Sequence, residues 1–115
     1  MKKMQIVDIH KSNLNKLGYR DLEHWLEDSK HIYIGRSCPY VKGAKKSVYA
    51  NIFSVKKYGR DKCLELYEIY ARKNLMKEIL KLRDKDLGCW CKGEKYGEKC
   101  HGEIIIKILN EIKNE

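Results

Sequence analysis

Four residues near the carboxyl end have the types and spacing to do chemistry: Cys89, Cys91, Cys100 and His101. Thiolates and imidazoles are ligands for zinc and for iron–sulfur clusters. The pattern is Cys-x-Cys, eight further residues, then Cys-His. It is tighter than the Cys-x2-Cys of a zinc ribbon. In an extended strand Cys89 and Cys91 share one face while Trp90 takes the other. Cys100 and His101 are neighbours, and adjacent side chains seldom converge on one ion. The first expectation is a zinc site built from Cys89, Cys91, Cys100 and His101, with an iron–sulfur cluster as the lesser choice. Two other readings stand beside it. Near the start of a helix, the Cys100 thiolate is favoured by the helix dipole and could be a reactive thiol assisted by His101. Alternatively, Cys89 and Cys91 are buried strand residues and His101 bonds only to backbone. Cys63 lies on an apolar helical face and reads as core. Cys38 falls in a loop and could join the site.

A second feature is a basic stretch. Residues 36–60 hold Arg36, Lys42, Lys45, Lys46, Lys56, Lys57 and Arg60, and no Asp or Glu. The whole chain carries +9, so the remainder is close to balanced. Tyr40, Tyr49, Phe53 and Tyr58 are interleaved with these cations. Cations neutralise phosphates and aromatic rings stack on bases, so the mixture suits a nucleotide or a single-stranded nucleic acid. The plainer alternative is a solvated loop whose aromatic residues fold back on the core.

The chain that must position these residues has 115 of them, which fits one domain with one core. Hydrophobic residues make up 43% and charged residues 36%, a balance that excludes intrinsic disorder. No apolar run approaches the roughly 20 residues of a membrane span. The basic start, Met1-Lys2-Lys3-Met4, is followed by too few apolar residues for a signal peptide. Five cysteines, an odd number, argue against a disulfide framework and for a reducing compartment. The expected location is cytoplasmic.

Residues 5–9 are short and β-branched and predict a strand. Leu22, Trp25 and Leu26 predict a helix within 20–29. Residues 31–34 predict a second strand, stopped by Gly35. Residues 36–59 lack a period and read as a long loop, with room for a short helical piece. Cys63, Leu66, Tyr67 and Tyr70 share a face of a helix over 60–72. Asn74 would cap another over 75–83. Residues 86–91 predict a third strand. Ile105, Ile108, Leu109 and Ile112 line a final helix over 101–113. The order gives an α/β fold with a small, mostly parallel sheet of three or four strands and helices packed on it. In such sheets ligands bind beyond the carboxyl ends of the strands. Gly35-Arg36, Cys89-Cys91 and Cys100-His101 all fall there. Arg36 and His101 should therefore line one concave pocket.

Tyr33-Ile34-Gly35-Arg36, Asn51-Ile52-Phe53, Tyr67, Leu87-Gly88-Cys89-Trp90-Cys91 and Cys100-His101-Gly102-Glu103 follow one another in a fixed order. This series resembles a domain-of-unknown-function family found in phages, bacteria and large DNA viruses. The likeness covers about residues 31–109. Ala50 and Ile52 replace a glycine and a proline of the usual pattern, the stretch between Cys91 and Cys100 is longer, and Glu103 stands in place of aspartate. The resemblance implies an α/β fold and a nucleotide or nucleic-acid setting, but no reaction.

The leading expectation is a metal-stapled module binding a nucleotide or nucleic acid. Arg36, Lys42, Lys45, Lys46, Lys56 and Lys57 would hold phosphate, and Asn51 would fix a loop or contact the ligand. Rival classes are a metal- or thiol-dependent enzyme on the same ligand, with Glu103 the nearest carboxylate, and an accessory protein-interaction module of a virus or phage.

Overall fold

The β-branched and apolar runs form three short strands, and the second and third end where the chemistry-bearing residues begin. The computed structural model describes residues 4–90 and 100–113. Its strands are β1 (Ile6–Asp8), β2 (His31–Tyr33) and β3 (Asp86–Cys89). All pairings are parallel, in the order β1-β3-β2. β3 is thus central and buried at every position, as a parallel strand covered on both faces must be. The register sets Asp8 opposite Cys89 and Tyr33 opposite Gly88.

The helices are α1 (Lys11–Lys16), α2 (Leu22–Trp25), α3 (Val55–Tyr58), α4 (Arg60–Asn74), α5 (Met76–Leu80) and α6 (His101–Lys113). Successive strand residues face opposite sides, and the core divides accordingly. Ile34, Leu87 and Cys89 pack with Tyr67, Ala71, Ile79, Ile105 and Ile108 from α4, α5 and α6. On the other side Ile9, Leu14, Leu22, Trp25, Tyr33 and Ala44 form a second cluster. Gly88 makes that second layer fit. A Cβ there would stand 2.7 Å from Trp25 Cζ3 and 2.8 Å from Ile9 Cγ2, so only a bare backbone lets the indole lie on the sheet.

The α/β architecture with its parallel sheet is as expected; several boundaries differ. α1 has no amphipathic signature, because Leu14 is its single buried residue. α2 is shorter than the expected helix, beginning after Asp21, whose side chain accepts from His24 N at 2.9 Å. Asn74 does not cap a following helix. It closes α4 instead, its Nδ2 donating to the Tyr70 carbonyl at 3.1 Å. The third strand stops at Cys89, and the expected ligand Cys91 lies outside the described residues. Among the described residues, no helix is long and apolar enough to cross a membrane.

Candidate metal centre and basic pocket

β3 delivers Cys89 at its carboxyl end, and α6 starts at His101, directly after Cys100. Gly102 lets the helix start come this close. A Cβ on it would meet Ile6 Cδ1 at 2.8 Å and Ile34 Cδ1 at 3.0 Å. Cys89, Cys100 and His101 are all buried. Cys89 Sγ lies 3.1 Å from Cys100 Sγ and 3.8 Å from His101 Nδ1, and Cys100 Sγ lies 3.9 Å from the same nitrogen. The neighbours Cys100 and His101 do converge, contrary to expectation. Cys100 precedes the first helical turn, with Sγ accepting from Gly102 N at 3.3 Å. It is therefore free of the angular spacing that separates adjacent side chains inside a helix.

His101 Nε2 stands 2.7 Å from the carbonyl oxygen of Ile34. A carbonyl only accepts, so Nε2 carries the proton and Nδ1 turns its lone pair to the two sulfurs. A backbone partner of this kind is what orients a metal-binding imidazole. The Tyr67 ring meets His101 edge-on at 5.2 Å. Its hydroxyl donates to the Tyr49 carbonyl at 2.6 Å. Burial above all pushes the Tyr67 phenol far above its ordinary range, so it is a neutral wall of the site and not a base.

Two sulfurs and one nitrogen, all within 4.8 Å of one another, form the described residues' candidate for a metal ion. Tetrahedral zinc with ordinary bond lengths separates its S and N ligands by about 3.6 Å and two sulfurs by about 3.8 Å. The two S–N edges are near that value, and the S–S edge would open by about 0.7 Å to match it. The donor set fits zinc. It fits an iron–sulfur cluster less well, because such clusters draw mainly on four thiolates and only two sulfurs meet here among the described residues.

A cavity of about 420 Å³ opens beside this group. Cys89 and His101 line it together with Arg36, Lys56 and Arg60, and with Gly35, Asn51, Phe53, Ser54 and Trp90. Arg36 and His101 thus border one concavity. Three cations and no carboxylate line it among the described residues; Glu103 is not part of the lining. Arg36 also has a structural task. Its Nε donates to the Asn51 carbonyl at 2.7 Å and its Nη2 to the Phe53 carbonyl at 2.8 Å. Asn51 works on the same loop. Its Oδ1 accepts from Phe53 N at 2.9 Å, and its Nδ2 reaches Cys63 Sγ at 3.2 Å. Cys63, buried as expected, donates to the Phe53 carbonyl at 3.0 Å. Of the two roles foreseen for Asn51, fixing the loop is the one its bonds serve.

The remaining expected phosphate ligands are dispersed. Lys42, Lys45, Lys46 and Lys57 do not line the cavity. Lys42 lies 3.6 Å from Glu23, and Lys57 sits over the Tyr58 ring at 5.2 Å from its centre. Cys38 packs against the Trp25 cluster, on the other face of the sheet from Cys89, and does not join the site. Three participants were not assigned to the site from sequence: Arg60, counted only as part of the basic stretch, Trp90, noted only within its motif, and the carbonyl of Ile34. Arg60 had a signal, since it follows Gly59 at the start of the longest helix. Trp90 stood between two cysteines. A backbone carbonyl leaves no trace in a sequence.

Residues 19–111 match the family described as Domain of unknown function (DUF4326). The match takes in Arg36, Cys89, Cys100 and His101 but leaves β1 outside, and it is wider at both ends than the likeness first seen. An uncharacterized protein of Acanthamoeba polyphaga mimivirus is 29% identical over 89 residues, which is 71% of this chain and 68% of that protein. No solved structure matches.

Proposed function

The chain belongs to the DUF4326 family, and we propose that it is a binding module for a nucleotide or nucleic acid, with a zinc centre of Cys89, Cys100 and His101 beside the phosphate. One observation carries the proposal: His101 and Cys89 belong both to the convergent ligand group and to the lining of the pocket that Arg36, Lys56 and Arg60 make basic. The centre would tie β3 to α6 and so hold one wall of the pocket. The cations would meet the phosphate, helped by low dielectric where the wall is buried. A reducing cytoplasm suits such a site, because thiols stay available there.

The test is direct. Tag-free protein should contain about one zinc per chain by elemental analysis. Chelation should lower the unfolding temperature. Nucleotides or oligonucleotides should bind with an affinity that falls as salt rises. Metal-free protein with every thiol titrating freely in the folded state would remove the zinc centre. Salt-insensitive binding, or none, would remove the phosphate site.

A second reading is favoured by the same overlap. Because Cys89 and His101 face the cavity, a three-ligand zinc would present its remaining position to the ligand, the arrangement of hydrolytic zinc sites. When bound, zinc would supply Lewis acidity there. Arg36, Lys56 and Arg60 would orient the substrate, and Tyr67 would exclude water behind His101. Release of phosphate or base from a bound nucleotide, abolished by chelation and restored by zinc, distinguishes enzyme from binder.

A further inference from the structure

We infer that the pocket takes a single nucleotide, not a strand of nucleic acid, with its phosphate among Arg36, Lys56 and Arg60 and its base against Trp90. The inference rests on reading the pocket as a phosphate site and narrows that reading to one ligand class.

Size is the first argument. About 420 Å³ lies within the range of roughly 300–1,000 Å³ typical of small-molecule sites. A strand needs an open-ended groove that tracks the backbone over about four nucleotides or more.

Placement of charge is the second. Residues 36–60 contain seven cations, but only Arg36, Lys56 and Arg60 line the cavity. They share the wall of one small cavity, where a phosphate group could meet them. The other four are placed elsewhere on an exposed surface, with Lys42 near Glu23 and Lys57 over its neighbour Tyr58. Their positive charge keeps the protein solvated without reading a ligand.

The third argument is the coupling of Trp90 to Arg36. Trp90 Nε1 donates to the Tyr33 hydroxyl at 2.7 Å. That hydroxyl in turn donates to the carbonyl of Arg36. One chain of bonds therefore fixes both the aromatic wall and the residue that carries the guanidinium. Both aromatics of the lining have edge-on neighbours, Phe53 with Tyr58 and Tyr70 and Trp90 with His10 and Tyr33, but only Trp90 is tied by hydrogen bonds to Arg36. A preorganised ring and a preorganised cation on one small cavity match a ligand that has a planar base and a phosphate at fixed separation.

Calorimetric titration of the full chain tests this with the four common nucleoside 5′-monophosphates, inorganic phosphate and a thymidine dodecamer. At least one monophosphate should bind one per chain, about tenfold or more tighter than inorganic phosphate. Trp90→Leu should remove that advantage, so that the variant binds the monophosphate no more tightly than it binds inorganic phosphate. Lys56→Gln, an exposed change that spares the fold, should weaken monophosphate and phosphate alike. The triple change Lys42→Gln, Lys45→Gln, Lys46→Gln should leave monophosphate binding as it was. A dodecamer that binds, resists displacement by excess monophosphate and is weakened by the triple change would overturn the inference. Monophosphates no tighter than phosphate would overturn it too, while sparing the phosphate site. If no anion binds at all, the phosphate site itself fails and the inference goes with it.

Discussion

Nε2 of His101 and the carbonyl oxygen of Ile34 stand 2.7 Å apart, although 67 positions separate them in the chain. This bond joins the end of β2 to the start of α6, and it aims Nδ1 at Cys89 and Cys100. His101→Ala leaves the Ile34 carbonyl buried without its donor and should cost about 1–3 kcal/mol even without metal. In metal-loaded protein the loss should be larger. The expected result is that chelator lowers the urea midpoint of the wild type but not of His101→Ala. Equal chelator sensitivity in both would exclude His101 as a ligand.

The same bond shows where sequence reading runs out. Cys89, Cys100 and His101 were visible as a group because sulfur and imidazole are rare and chemically marked. The parallel sheet was visible because Ile6-Val7 and His31-Ile32-Tyr33 are β-branched or aromatic runs broken by helical periods. Arg36 could be assigned to the right edge of the sheet, since it follows a strand end. Its grip on the Asn51 and Phe53 carbonyls could not, because those acceptors belong to the backbone and would be the same for any residue. The lysines illustrate the opposite limit. A count of charge along 36–60 treats them as one patch, whereas the fold sends Lys56 to the cavity and Lys42 to Glu23.

Tyr67 supports the site from behind through its bond to the Tyr49 carbonyl at 2.6 Å. Tyr67→Phe keeps the ring against His101 but removes the donor, and should cost about 1–2 kcal/mol. Burial raises the folded-state phenol above its value of 10.0 in the unfolded chain. Its contribution is therefore whole below that pH and is lost as pH rises beyond it, where unfolding releases a proton. Denaturation followed across this alkaline range should fall less steeply with pH for Tyr67→Phe than for the wild type. Identical slopes would show that other groups govern alkaline stability.

Gly102 sets the distance between α6 and the sheet. Alanine there places a methyl 2.8 Å from Ile6 Cδ1 and 3.0 Å from Ile34 Cδ1. Both contacts end in flexible side chains, so the fold should survive at a cost of about 1–3 kcal/mol. The helix start must still give way, and with it the geometry of Cys100 and His101. Gly102→Ala should therefore weaken metal retention more than a core change of equal thermodynamic cost, such as Ile108→Val further along the same helix. Competition with a chromogenic chelator measures this, and equal metal affinity in the two variants would detach Gly102 from the site.

If Arg36 served the ligand alone, Arg36→Ala would spare stability. Its two bonds to the Asn51 and Phe53 carbonyls change that expectation. The guanidinium fork spans acceptors two residues apart, and a lysine, with one ammonium at the end of a flexible stem, cannot hold both in the same geometry. Removing the fork should cost about 1.5–2 kcal/mol, the lower part of the range for charged hydrogen bonds because Arg36 is exposed. The loop over 50–54 should then open locally without global unfolding. Arg36→Ala and Arg36→Lys should both speed amide hydrogen exchange at Phe53, whose N–H is held by Asn51 Oδ1 at 2.9 Å, while protection in α4 and β3 persists. Lys56→Gln, which lines the same cavity without these bonds, should leave that exchange rate unchanged. A rise in exchange for Lys56→Gln as well would mean that net charge at the pocket mouth, and not the fork, holds the loop. No rise for Arg36→Ala would return Arg36 to the role of ligand contact alone.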